Sequence, residues 1–167
     1  MKRLFLVLLI CELSGLNIFS DSGELESLKL KGFYLGMTKS EVKTLYQTMK
    51  SDEVAKYISI ESSDFRDLIQ LDNEFSSMGN KIELNYDEAE KVTYIKFQYK
   101  TVAILFDVGA TSTEEFIEKF SAEYGIPDME FKDMGMVKVW SYSDESRKFS
   151  LSIDDSHNIT LKALLGP

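Results

Sequence analysis

The sequence predicts an α+β fold: two helix-then-antiparallel-strand units packed as one domain, with the helices on a largely antiparallel sheet. Three observations carry this prediction. Helix-start signatures occur at Thr38 and again at Thr111–Ser112, apolar residues alternate with period two from Lys81 onward, and the two halves match in order. With 44% hydrophobic and 12% aromatic residues, and eleven Phe and eight Tyr against two Pro, the chain has material for one ordered core.

Taken in order, Met1-Lys2-Arg3 places two cations ahead of the unbroken apolar run Leu4–Ile10. Cations held on the cytoplasmic side, followed by a lipid-partitioning segment, make the pattern of a secretory signal. The run is shorter than the roughly 20 apolar residues of a bilayer span, and Glu12 interrupts it. A signal peptide over residues 1–22 follows, cut after Ser20-Asp21-Ser22 or, alternatively, at Ile18-Phe19-Ser20. The single cysteine, Cys11, follows Ile10 where a lipoprotein signal carries a small residue, so lipid anchoring at Cys11 is the minor alternative. Export to a periplasmic or secreted space is the expectation. The remaining chain, about 145 residues, is long enough to bury roughly two-thirds of its unfolded surface without a metal or a disulfide.

The first unit covers residues 23–108. Gly23–Lys31 is a polar, irregular lead-in. In Gly36-Met37-Thr38-Lys39-Ser40-Glu41-Val42, Thr38 and Glu41 form a capping box, with Met37 and Val42 placed as a hydrophobic staple. Val42, Leu45 and Met49 continue at helical spacing, which predicts a helix over 38–50. Between Ser51 and Gly79 two readings stand. Phe65, Leu68, Ile69 and Phe75 can share a helical face after Ser63 or Asp64, and Tyr57–Ile60 can form a short strand. Ile82, Leu84 and Tyr86 then alternate with polar residues, and Asp87–Lys91 makes a turn. A strand is predicted over Val92–Lys100, with Thr93, Ile95, Phe97 and Tyr99 on one face, and a third over Val102–Val108.

The second unit covers residues 109–167. Thr111 or Ser112 caps a helix over 112–124, paired with Glu114 or Glu115, and Phe116, Ile117, Phe120 and Tyr124 supply its apolar face. Gly125 suits the left-handed turn that ends it, and Pro127 blocks continuation. Strands follow at Met136–Ser143, Arg147–Asp154 and Asn158–Leu164. The halves echo each other. Gly36-Met37-Thr38-x-x-Glu41-Val42 corresponds to Gly109-Ala110-Thr111-Ser112-x-x-Glu115-Phe116, and Ile82–Glu88 aligns without gaps on Phe149–Asp155.

The charge of −9, from 28 acidic and 19 basic side chains, opposes nucleic-acid binding, which needs a clustered basic surface. The single histidine, His157, lies in Asp154-Asp155-Ser156-His157-Asn158, which reads as a polar hairpin turn. Zinc needs three or four ligands, and the loop lacks the ligand spacing of an EF-hand. Neither a nucleophile elbow nor a phosphate loop occurs. No catalytic, cofactor or metal residue is therefore assigned, and the protein is read as a non-enzyme.

Leu35-Gly36-Met37-Thr38-x-x-Glu41-Val42 at a helix start, with strands following, resembles the modules of the beta-lactamase inhibitory protein family. It is also similar to the small accessory lipoprotein of the outer-membrane barrel-assembly machinery. The resemblance covers about seven residues plus the element order, and the second unit departs from it at Ala110 and Phe116. It implies a tandem fold and a role in protein contact or bacterial envelope assembly. Aromatics favour interfaces, so Tyr94, Trp140 and Tyr142 are the candidate interaction surface. The expectation is a protein-binding or peripheral envelope module acting through its sheet. An apolar-ligand carrier is the alternative, and a hydrolase ranks third.

Overall fold

A tight turn opens the described chain. Lys31 and Gly32 both hold positive φ (51° and 91°), which lets Leu30 and Phe33 exchange backbone hydrogen bonds of 2.8 and 3.0 Å. The turn delivers Leu28, Leu30 and Phe33 to the core as buried residues. The computed structural model describes residues 28–62, 80–106, 112–145 and 147–165. The leader, Cys11, the helix reading at Phe65–Phe75 and the Gly109–Thr111 motif lie outside these residues.

Helix α1 spans Lys39–Lys50 and starts at Thr38, whose capping box with Glu41 forms as predicted. Val42, Tyr46 and Met49 make its buried face. Two backbone bonds fix the chain just ahead of it to the sheet: Gly36 N–H to the Val92 carbonyl (2.7 Å) and Val92 N–H to the Met37 carbonyl (2.9 Å). After a short 3-10 turn at Ala55–Tyr57 comes strand β1, Ser59–Ser62. Strands β2 (Lys81–Tyr86) and β3 (Val92–Phe97) form a hairpin around the Asp87–Lys91 turn.

The chain departs from the predicted strands at two places here. Strand β3 stops at Phe97 instead of Lys100, and Tyr99–Leu105 is helix α2, not the start of a third strand. Val102 and Phe106 stand four apart, a spacing that puts residues on one face of a strand and equally on one face of a helix. The helix is anchored by Thr101, fully buried, whose hydroxyl donates to the Lys81 carbonyl at 3.0 Å. The alternation along β3 also breaks. A bulge opposite Asn85–Tyr86 lets Val92 and Ile95 both face the core, leaving Thr93 half-buried.

Helix α3, Thr113–Tyr124, begins at Ser112, whose hydroxyl accepts from the Glu115 N–H at 3.2 Å. It ends at Gly125 with φ 63°, the left-handed conformation that glycine adopts without a Cβ penalty. Strands β4 (Glu130–Asp133), β5 (Val137–Ser143), β6 (Arg147–Asp154) and β7 (Ile159–Leu165) follow. The last three match the predicted strands, while β4 carries no apolar alternation and was not expected.

The seven strands form one sheet in the order β1-β2-β3-β7-β6-β5-β4. Strand β1 runs parallel to β2, and every other pairing is antiparallel. Register across the middle aligns Ile95, Ala163 and Phe149 on the helix-covered face, and Phe97, Leu161 and Leu151 likewise. A series of ring contacts ties the elements to this face. Phe33 meets Phe97 (5.8 Å), Phe97 meets Phe106 (5.4 Å), Phe106 meets Phe120 (5.7 Å) and Phe120 meets Phe149 (5.8 Å). Each such pair contributes about 0.5–1.5 kcal/mol beyond the area it buries.

Candidate interaction surface

Strand alternation assigns the polar side chains of the central strands to the face opposite the helices. Glu83 lies across from Lys96, Asn85 from Tyr94, and Lys162 from both Lys96 and Ser150. Among the described residues no helix packs on this face. Several of its charges are paired before any partner arrives. Lys96 Nζ contacts both Glu83 oxygens at 3.1 and 3.2 Å, Gln98 donates to Glu83 Oε1, and Lys81 Nζ reaches Glu61 Oε2 at 2.9 Å.

Partial burial raises the cost of charge on Glu83, yet the bonds from Gln98 and Lys96 outweigh it and hold the carboxyl below its usual range. Beside it, burial first and the Glu83 charge second push the Tyr94 hydroxyl up. Tyr94 therefore stays neutral and able to donate. Glu61, Ser62, Glu83, Leu84, Asn85 and Tyr94 border an open depression of about 400 Å³. A face of this kind presents a ring and fixed hydrogen-bonding groups with little side-chain entropy left to lose on binding.

The other two aromatics singled out in the sequence lie elsewhere. Trp140 pairs with Leu151 and Tyr142 with Phe149, so both rings are on the helix-covered face, half-buried against the core near the sheet edge. Tyr94 is on the opposite face. The three do not form one surface.

Sequence reasoning missed the residues around Trp140 that are most open to water. Phe131 sits across from Trp140, with ring centroids 4.9 Å apart, and is 53% exposed. Met134 and Met136, at the β4–β5 turn, are 63% and 76% exposed. The available signal was Met134-Gly135-Met136, two large apolar residues flanking a turn glycine in an otherwise polar stretch.

His157 is exposed, with φ 61°, at the β6–β7 turn. Asp154 Oδ1 accepts from the Ser156 and Asn158 N–H groups at 2.9 Å, and Oδ2 accepts from the Asn158 side chain at 3.0 Å. Those bonds, from Asn158 above all, hold the Asp154 carboxyl below its usual range. On the helix side, the space bounded by Leu28, Leu30, Phe33, Leu35, Ile95, Lys148 and Ala163 measures about 10 Å³. That is room for about one water. No helix among the described residues is long and apolar enough to cross a membrane.

No family model, curated protein or solved structure matches this chain.

Proposed function

We propose that this protein is a non-enzymatic, exported module that binds protein, or associates peripherally with the bacterial envelope, through the open face of its sheet, with Tyr94 at the centre of the contact. The observation that carries this reading is the half-buried Tyr94 beside the pre-paired Glu83–Lys96–Gln98 group on a sheet face that no described helix covers. Export rests on the leader pattern of Met1–Ile10.

The tandem architecture is part of the same proposal, as is kinship with the beta-lactamase inhibitory protein family and the barrel-assembly lipoprotein. Its support is a pair of equivalent turns. Asp87 Oδ1 accepts from the N–H groups of Ala89 and Lys91, and Asp154 Oδ1 from those of Ser156 and Asn158, all at 2.9 Å. The fourth residue of each turn has positive φ, Glu90 at 58° and His157 at 61°. Strands β3 and β7, which leave these turns, lie side by side in the sheet.

The alternatives have less behind them. The space beneath Leu28–Leu35, about 10 Å³, is too small to hold the ligand of an apolar carrier. A hydrolase built on His157 would have to recruit an Asp154 already committed to its own turn.

The test is crosslinking capture from a native envelope fraction, with wild type compared to Tyr94→Ala and Lys96→Glu. Both variants are expected to lose capture by about ten-fold or more, as removal of a central aromatic anchor does. Tyr94→Ala should keep its melting temperature, while Lys96→Glu, which sets a second carboxylate opposite Glu83, should lower it and is compared at a temperature where it stays folded. Unchanged capture by folded variants would remove the open face from the proposal.

A further inference from the structure

We infer that the free edge of β4 pairs with β4 of a second copy of this chain, antiparallel, about a two-fold axis through Phe131. Strand β4 ends the sheet, all four of its residues are exposed, and among the described residues no strand pairs with its outer side.

The direction of its backbone groups follows from the hairpin. Met134 N–H donates to the Val137 carbonyl at 2.9 Å, so Met134 belongs to a bonded pair with β5. In an antiparallel ladder bonded and non-bonded pairs alternate. Lys132 and Glu130 therefore bond inward to β5, while Phe131 and Asp133 direct their N–H and C=O groups outward. A two-fold axis on Phe131 makes the two Phe131 residues a bonded pair, whereas an axis on Lys132 makes a non-bonded pair flanked by bonded Phe131–Asp133 pairs, so the backbone permits both and the side chains decide.

Side-chain register selects the axis on Phe131. With the axis on Phe131, Glu130 lies opposite Lys132 of the second copy and Lys132 opposite its Glu130. All four charges are on the open face, because Glu130 and Lys132 pair with Ser141 and Val139. The two Phe131 rings meet on the other face, each backed by its own Trp140. Centring on Lys132 would instead oppose lysine to lysine and Phe131 to Asp133. Centring between Phe131 and Lys132 would oppose Glu130 to Asp133. Directly opposed like charges are destabilising in a sheet. Charged residues on an edge strand ordinarily deter pairing. Here their alternation makes the edge complementary to itself.

The contact is short, so the dimer dissociates on dilution. It uses neither Tyr94 nor the open-face charges, and so stands independently of the binding role proposed above.

Sedimentation velocity of the full exported chain over a wide concentration range tests it. Wild type is expected to show concentration-dependent dimers. Lys132→Glu and Glu130→Lys should each weaken association by about ten-fold, since each turns two attractions into two repulsions. The double variant Glu130→Lys/Lys132→Glu restores the complementarity and should dimerise like wild type. An equimolar mixture of the two single variants should dimerise as well. A chain that stays monomeric throughout would overturn the inference, including one whose edge captures only a strand of some other protein. So would a dimer insensitive to the single changes, or failure of both the swap and the mixture to restore association.

Discussion

The Tyr34 hydroxyl donates to Glu41 Oε1 at 2.7 Å, while Oε2 of the same carboxylate accepts from the Thr38 hydroxyl at 2.6 Å and the Thr38 N–H at 2.7 Å. One side chain thus closes the cap of α1 and ties that helix to the segment leading into it. The Thr38 hydroxyl first, then Tyr34, then the Thr38 N–H hold the Glu41 carboxyl down to about 2 from an ordinary 4.5. Because the folded value lies below the unfolded one, this contribution is complete above about pH 4.5 and is lost as pH falls toward about 2. The melting-temperature difference between wild type and Glu41→Gln should be constant above about pH 5 and shrink through that window. A difference that persists unchanged to pH 2 would show that ionisation of Glu41 does not matter to the cap.

Thr38 and Ser112 cap different helices, so their losses should add. Thr38→Ala and Ser112→Ala are each expected to cost about 1 kcal/mol in chemical denaturation, and the double variant the sum. Serine at position 38 should restore most of the Thr38 contribution. A double variant costing no more than either single change would mean that the helix ends are held by something else.

Phe97 is the hub of the core, fully buried and in edge contact with both Phe33 and Phe106. Phe97→Ala should remove about 3–5 kcal/mol, a large part of the roughly 5–15 kcal/mol total of a typical domain. Urea titration measures it. A loss below about 1 kcal/mol would mean that the neighbouring rings close over the gap.

Trp140 and Tyr94 should separate stability from binding. Trp140 is half-buried against the core and Phe131. Trp140→Ala should cost about 2 kcal/mol, half the toll of a fully buried Trp, and leave open-face capture intact. Tyr94→Ala should do the opposite. If Trp140→Ala abolishes capture in a chain that still melts normally, the partner sits on the helix side.

Local signals made some elements readable and not others. Helices α1 and α3 were legible because a cap residue, an acidic partner three residues on and a spaced apolar face coincide at each. Strands β5, β6 and β7 were legible because polar turns bracket their alternation. Helix α2 was missed because its seven residues offer no capping side chain and Val102–Phe106 satisfies both periods. The parallel placement of β1 depends on a non-local pairing, which no short-range pattern encodes. Of the candidate surface, the side of the sheet on which Tyr94 lies was legible from Ile95 and Phe97. That Trp140 and Tyr142 face the other way depends on their pairing with Leu151 and Phe149, which is again non-local. Strand β4 and Phe131 escaped notice because a fully exposed edge strand has no buried face to leave a period.

The position of β7 has a consequence for the order in which the protein can be made. It follows every other described strand along the chain, yet it sits in the interior of the sheet, between β3 and β6. A chain emerging amino end first, from a ribosome or through a translocase, has β1-β2-β3 on one side and β4-β5-β6 on the other before anything can join them. During that interval β3 and β6 both present unpaired edges, the hazard that protein sheets usually bury. Residues 159–165 then have to insert between two partly ordered pieces. Residues 159–165 thus convert two open fragments into one cooperative unit, and a chain cut before them has two sheets with nothing between them.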